Sequence, residues 1–566
     1  MREIGGALVR IGLLTEGGYP YVSGDARFWC DRLVRGLGQH EFDLYALSRS
    51  ERQEDEGWLP LPPQVSRVRT APLWTARDDG VGYGRRARRR FAECYGELAA
   101  VICGYGASTE TPTVEADRFR NALYGLAELA RDEGRLVGAL RSEGAVRALE
   151  RACRAPGALR TAREARVPDL LTVATHLERA LRPLSLDWYE DDGLGAVDLC
   201  HATSGGPAAL PALLARHFSG VPLLLTEYGV RLRTHYLAAT DAPPAVRSLL
   251  AAFHGRLATE IYDRAAVVTP GNAHARRWQE RCGADRAKIR TVYPGMDASP
   301  FAEVGESTEG ADPNTLVWVG RVEPTKDLVS LLHAFAEIRK DESKARLRIV
   351  GIPAGPEGEA YLGHCRALAA QLFPDEAEGP HSVGDNPVSF EEIGGPELPT
   401  VADAYAAGAV TLLSSVVEGF PVGLVEAMFC GRATVSTDVG AVVEIIGGTG
   451  LVVPPRNPRA FAEACVALLR DPERRARLGA AARARALELF TVEQNVTAFH
   501  GIYLEIVSRT PVRRVVLDGA GEPRPFAAPA EAHVPGRYTR VVARGGPSWA
   551  GGTPVRATTP AAEGAR

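Results

Sequence analysis

Along most of this chain, short uncharged runs of strand length give way to loops bearing glycine and proline, and these to stretches with apolar residues at helical spacing. Repetition of that unit predicts an α/β protein with buried parallel strands. Ala7–Leu14 reads as the first strand, Thr15–Gly24 as its loop, and a helix follows through Trp29, Leu33 and Leu37. The unit returns at Ala196–Ala202 with a helix over about 208–218, at Val221–Thr226, and at Ala265–Thr269 leading into a helix through Trp278. A second series comprises Thr315–Val319, Leu347–Gly351, Val388–Phe390 and the uncharged run Ala404–Val417, read as a buried strand running into a turn.

Elsewhere the pattern breaks. Residues 78–167 are rich in Ala, Arg and Glu with helical periodicity, which predicts a helical insertion in the first domain. Residues 298–313, rich in Glu, Gly, Ser and Pro, read as a linker. Beyond about Arg509 the chain is Pro-, Gly-, Ala- and Arg-rich without a sustained apolar period, so 510–566 is expected to be a disordered tail.

Composition narrows the class. With 566 residues and 45% apolar content there is room for two large domains plus extras. A net charge of −4 argues against a general nucleic-acid binder, which needs a strong positive field. Nine cysteines are scattered singly, with no C-x-x-C pair and no His/Cys cluster at metal spacing, so reduced thiols, a cytoplasmic location and no metal site are expected. The start MREIGGALVRIGLL does not read as a signal peptide, and no window reaches the roughly eighteen uncharged apolar residues of a spanning helix.

Candidate chemistry concentrates in Glu418-Gly419-Phe420-Pro421-Val422-Gly423-Leu424-Val425-Glu426-Ala427-Met428. Pro421 suits a first helical turn and Gly431 a stop, so Glu418 falls in a strand-to-helix loop and Glu426 in the second turn of the helix. Both carboxylates can face the crevice at the carboxyl end of a parallel strand, with free helix N–H groups between them, an arrangement suited to a phosphorylated, hydroxyl-rich ligand. A glycosidase-like acid/base pair is disfavoured, since a helix dipole keeps such a carboxylate ionised. Upstream, Gly320-Arg321 and Lys326 place two cations in a loop before a helix, good chemistry for a diphosphate. The glycines of the first loop, Gly17, Gly18 and Gly24, read either as a plain turn or as a close approach of backbone to phosphate. His201 ends a strand. The run Arg85–Arg90 reads as a solvated helix face, with contact to anionic lipid heads or an acidic partner as the other reading.

Taken together, EGFPVGLVEAM resembles the Glu-x7-Glu signature of retaining glycosyltransferases of the GT-B fold, family 4, and GRVEPTKD resembles that family's GRxxxxKG stretch. The loop EGGYPYVSG resembles the opening of the PelF-like branch, and DLCHATSGG, TEYG, VYPGMD, TDVGAVVEII and GLVVPP resemble further family segments. The resemblance implies two Rossmann-like domains: 1–297 for the acceptor, 314–490 for the nucleotide sugar, and a helix at 491–509 returning to the first domain. It further implies that Arg321 and Lys326 hold the donor pyrophosphate, that Glu418 and the backbone of Gly419, Phe420, Pro421, Val422 and Gly423 hold the sugar, that Glu426 holds the ribose, and that His201 contacts the sugar. Transfer would retain configuration, without a metal or other cofactor, from a nucleotide sugar such as UDP-glucose to a glycan acceptor, beside polysaccharide-synthesis proteins at the inner membrane. Departures from the pattern are Asp25 in the first loop, Thr203 and Tyr228 at usual histidine positions, and Asp327 for glycine. Asp25, Thr203 and Tyr228 keep one rival open, an inactive nucleotide- or glycan-binding subunit. Because fold alone does not fix the reaction, a nucleotide-sugar epimerase of the same fold is a second, against which the GRxxxxK and Glu-x7-Glu pair argues.

Overall fold

The computed structural model describes residues 9–24, 27–76, 82–104, 112–238, 241–307, 312–374, 386–395, 398–510 and 512. Asp25 and nearly all of the expected tail lie outside them. The chain divides into two compact units, one of Met1–Leu225, Ala242–Val267 and Phe499–Arg566, the other of Thr226–Asp241 and Val268–Ala498.

One sheet is built from β1 (Arg10–Glu16), β2 (Glu41–Ser48), β3 (Val65–Pro72), β4 (Leu199–Ala202), β5 (Leu223–Thr226) and β6 (Ala265–Thr269), in the order β3-β2-β1-β4-β5-β6. The β1–β2 and β1–β4 ladders are parallel, the latter pairing Ile11 with Leu199 and Leu13 with His201. Ile11, Leu13, Leu199 and Leu223 are fully buried, as strands covered on both faces require. Between β3 and β4 the chain is helical: Arg85–Gly104, Pro112–Glu133, Leu136–Leu140, Glu143–Arg154, Arg160–Arg163 and Val167–Leu181. The helical stretch thus continues past Val167, because Leu170, Val173, Leu177 and Leu181 keep the apolar spacing and are buried. Within the arginine run, Arg89 pairs with Glu93, and Arg90 with Glu128 and Asp132.

The second sheet comprises β7 (Asp312–Val319), β8 (Arg346–Val350), β9 (Val388–Glu391), β10 (Gly408–Leu413), β11 (Ala433–Thr437) and β12 (Leu451–Val453), in the order β12-β11-β10-β7-β8-β9. Counted from its own first strand, this is the same order as in the first sheet. Its core packs Trp318, Leu332, Phe335 and Ile349 with Phe461 and Leu468.

Two local expectations are corrected. Ala404–Val417 is not one strand: Val401–Ala406 is a helix, and only Gly408–Leu413 is β10. Thr400 caps that helix while the Asp403 carboxylate accepts from the Thr400 N–H at 2.9 Å, a reciprocal cap that starts a helix despite the apolar run behind it. Part of the expected linker is ordered as a 3-10 turn, Ser299–Phe301, and a short helix, Ala302–Glu306, because the buried Phe301 ring packs on Tyr405 and Phe429.

Candidate functional site

In each sheet the strand order reverses beside the first strand, between β1 and β4 and between β7 and β10. Open α/β sheets bind ligands at the carboxyl ends of strands at such a switch point. In the second unit the loops leaving β7 and β10 are Gly320–Asp327 and Ser414–Pro421, which carry Arg321, Lys326 and Glu418.

The two loops are fastened together. The Val416 N–H donates to the Thr325 carbonyl at 2.9 Å, and the Ser414 hydroxyl to the Lys326 carbonyl at 2.7 Å. Lys326 Nζ thereby meets Glu418 Oε1 at 2.6 Å, and the Ser415 hydroxyl donates to the same oxygen at 2.7 Å. With side-chain exposures of 17% and 9%, Lys326 and Glu418 are shielded enough for their charges to fix each other's place. Arg321 is exposed and unpaired among the described residues. Asp327 takes the left-handed conformation, φ 48°, in which glycine is usual and Asp is tolerated, and its carboxylate caps the helix Leu328–Asp341 by accepting from the Ser330 N–H. The departure from glycine therefore keeps the turn.

Pro421 precedes the helix Val422–Phe429 as its cap residue. Pro421 has no N–H, and the Val422 N–H donates to the Phe420 carbonyl at 3.0 Å. The amides of Gly419, Phe420 and Gly423 remain without an acceptor among the described residues. Glu426 lies one turn into the helix, where the Tyr405 hydroxyl is 2.9 Å from its Oε2 and 3.0 Å from the Gly423 carbonyl. Burial raises the Glu426 carboxyl above its usual range and the Tyr405 hydrogen bond lowers it, burial prevailing. The expectation that a helix dipole keeps such a carboxylate from being raised therefore does not hold at Glu426.

Other residues at this site were not anticipated from the sequence. The Arg233 guanidinium donates to the Glu418 carbonyl at 3.1 Å, and burial lowers its pKa. His274 is lowered by burial and then by Arg233, Arg277 and Arg281, and its Nε2 has no hydrogen-bond partner among the described residues. Gly440, φ 57°, backs onto the Glu418 carbonyl oxygen, which a Cβ there would approach to 2.3 Å. Tyr228, one of the departures from the family pattern, packs against Gly271, and its hydroxyl lies 3.3 Å from Asn495 Nδ2.

In the first unit the glycine loop leaves β1. Gly24, φ 112°, lies so close to the Gly17 carbonyl that a Cβ would come within 1.9 Å. The Gly17 N–H donates to the Leu47 carbonyl at 2.8 Å, and the Gly18 carbonyl accepts from the Tyr21 N–H at 3.0 Å. The loop's own closure requires glycine at Gly24 and favours it at Gly17, φ 62°. His201, in β4, is wholly buried among Trp29, Phe499 and Tyr503, with Nδ1 2.8 Å from the Tyr503 hydroxyl, and burial lowers its pKa to about 3. It presents no surface to a sugar in this arrangement. Thr203 donates to the Leu14 carbonyl at 3.0 Å.

Comparison with known proteins finds two partial family matches and a shared fold. Residues 9–287 match a family described as a domain of unknown function (DUF3492), and residues 313–471 match the glycosyl transferases group 1 family. The chain is 31% identical over 287 residues to a D-inositol 3-phosphate glycosyltransferase of Kineococcus radiotolerans, covering 47% of this chain and 62% of that protein. A counterpart from Kribbella flavida is 31% identical over 284 residues, 48% of this chain and 62% of that protein. The match therefore spans about three-fifths of these curated relatives. Among solved structures, sucrose-phosphate synthase of Thermosynechococcus elongatus aligns with a TM-score of 0.52 at 17% identity over 88% of this chain and 100% of its own. Anabaena HepE in complex with UDP aligns with a TM-score of 0.50 at 14% identity over 87% and 99%. The fold is of the two-domain GT-B type.

Proposed function

We propose that this protein is a retaining glycosyltransferase that moves a sugar from a nucleotide-sugar donor, UDP-glucose first among them, to a glycan acceptor in polysaccharide synthesis. The observation that carries this reading is the Lys326–Glu418–Ser415 cluster at the β7/β10 switch point, with Glu426 on the helix that follows. The group 1 match over the same residues and the UDP bound by HepE support the donor class.

In this reading Arg321 and Lys326 take up the charge of the departing diphosphate, which lowers the barrier electrostatically. Glu418 and the free amides of Gly419, Phe420 and Gly423 hold the sugar's hydroxyls, and Glu426 accepts from the ribose hydroxyls. Arg233 steadies the Glu418 main chain through its hydrogen bond to that carbonyl. Among the described residues no helix is long and apolar enough to cross a membrane, so work beside membrane-bound synthesis proteins would be peripheral. His201, hydrogen-bonded to Tyr503 within the core, has no part on the sugar in this reading.

The test is transfer or slow hydrolysis of UDP-glucose followed by NMR of the anomeric centre. An α product is expected, and a β product contradicts retention. The buried His201, together with Thr203 and Tyr228, favours one rival, a subunit that binds donor without turnover. Tight UDP binding with no product across a panel of acceptors would establish that rival.

A further inference from the structure

The helical segment of the first unit holds a concavity that the donor reading does not use. Helix Arg85–Gly104, the turn at Gly134-Arg135 and the first turns of helix Glu143–Arg154 enclose about 520 Å³. Small-molecule sites span about 300–1,000 Å³. The floor is apolar: Phe91 is buried and stacked on Tyr95 with centroids 5.3 Å apart. The Tyr83 hydroxyl donates to the Gly134 carbonyl at 2.7 Å and fixes the turn that presents Arg135.

The rim carries Arg88, Arg135, Arg147 and Arg151 against one carboxylate, Glu143. That carboxylate is held by Arg147 at 2.6 Å. Arg135 and Arg151 have no carboxylate partner among the described residues, whereas neighbouring Arg89, Arg90 and Arg154 are all paired. The arginine run Arg85–Arg90 is thus divided: Arg89 pairs within its own helix, Arg90 ties that helix to Pro112–Glu133, and Arg88, which donates to the Tyr83 carbonyl at 3.1 Å, lines the cavity. Like charges gathered in a concavity repel one another until an anion joins them. The cap residue Ser142 and the start of its twelve-residue helix also line the space, adding the positive end of a helix dipole.

We propose that this cavity is a second ligand site, for a small molecule bearing a phosphate or diphosphate group, distinct from the donor site of the other unit. Guanidinium forks match phosphate oxygens in pairs, a helix start favours the same charge, and the Phe91 floor suits the less polar body of such a ligand.

The experiment is equilibrium dialysis of the full chain with inorganic pyrophosphate, with and without saturating UDP. We expect a component of pyrophosphate binding that UDP does not displace. An Arg135→Gln/Arg151→Gln variant should weaken that component at least about tenfold, as loss of charge-assisted hydrogen bonds does. Its thermal unfolding and UDP affinity should stay unchanged. Lys326→Ala should do the reverse, so that failure of the donor reading and failure of this proposal are separable. Absence of the UDP-insensitive component overturns the proposal, as does its persistence in both this variant and an Arg88→Gln/Arg147→Gln variant. Sedimentation with phosphatidic acid vesicles that depends on the same arginines would identify the source as a lipid headgroup. Pyrophosphate binding without vesicle binding would identify it as a free phosphate compound.

Discussion

Glu426 sits where two opposing effects meet, burial raising its carboxyl and Tyr405 lowering it. In the proposed reading the ionised form accepts the ribose hydroxyls, so affinity for UDP should fall as pH drops through the raised pKa. Tyr405→Phe removes the lowering contribution and should move that loss to higher pH, read from UDP dissociation constants between about pH 5 and pH 8. Glu426→Ala should weaken UDP at least about tenfold and abolish the pH dependence. Arg233→Ala leaves the Glu418 carbonyl without its guanidinium and should raise KM for the donor several-fold, with Arg233→Lys recovering part of it. Glu418 and Lys326 were legible in the sequence because each lies in a short local pattern on a strand-to-helix loop. Tyr405 and Arg233 were not, because only tertiary packing brings them beside Glu426 and Glu418.

At the scale of elements, the loop after β11 supports the loop after β10. Gly440→Ala forces a side chain both into a left-handed conformation and against the Glu418 carbonyl. We expect a lowered Tm and loss of most donor binding, measured by thermal unfolding and UDP titration. The last helix, Val492–Arg509, carries a second pH response. The Val9 N–H donates to His40 Nδ1 at 3.3 Å, while His40 Nε2 lies 2.9 Å from His500 Nδ1. Burial and then His500 lower the His40 pKa from 6.5 to about 4. Between those values the unfolded chain binds the extra proton, so stability is lost as pH falls through that window, by a few kcal/mol at most. Denaturant unfolding between about pH 4 and pH 7 should show that slope, and His40→Leu should flatten it. Strands made of continuous apolar runs, such as β5 and β7, were readable directly. β2 and β3 were not: β2 buries Asp43, held by Arg10 at 2.8 Å, and the edge strand β3 alternates arginines with its apolar residues, so neither looks like a buried run. The helix before β10 was hidden in an apolar stretch, although Thr400 and Asp403 carried its start signal.

At the scale of the molecule, two sheets of identical strand order each place loops at a switch point, but the chemistry differs between them. The second unit gathers paired charges and free amides in its loops. In the first, the glycine loop closes on itself and His201 is buried. The GT-B fold was legible because its motifs recur with each strand-loop-helix unit. The state of the first unit's residues was not, because burial of His201 is decided by Trp29, Phe499 and Tyr503, remote from it in sequence. The most direct test of the central claim, a nucleotide-sugar donor site built on β7 and β10, is calorimetric titration of the full chain with UDP. The account predicts one donor site with a dissociation constant between about 1 μM and 1 mM. Lys326→Ala and Glu426→Ala should each weaken it at least about tenfold while the protein stays folded. No UDP binding, or binding undiminished in both variants, would contradict it.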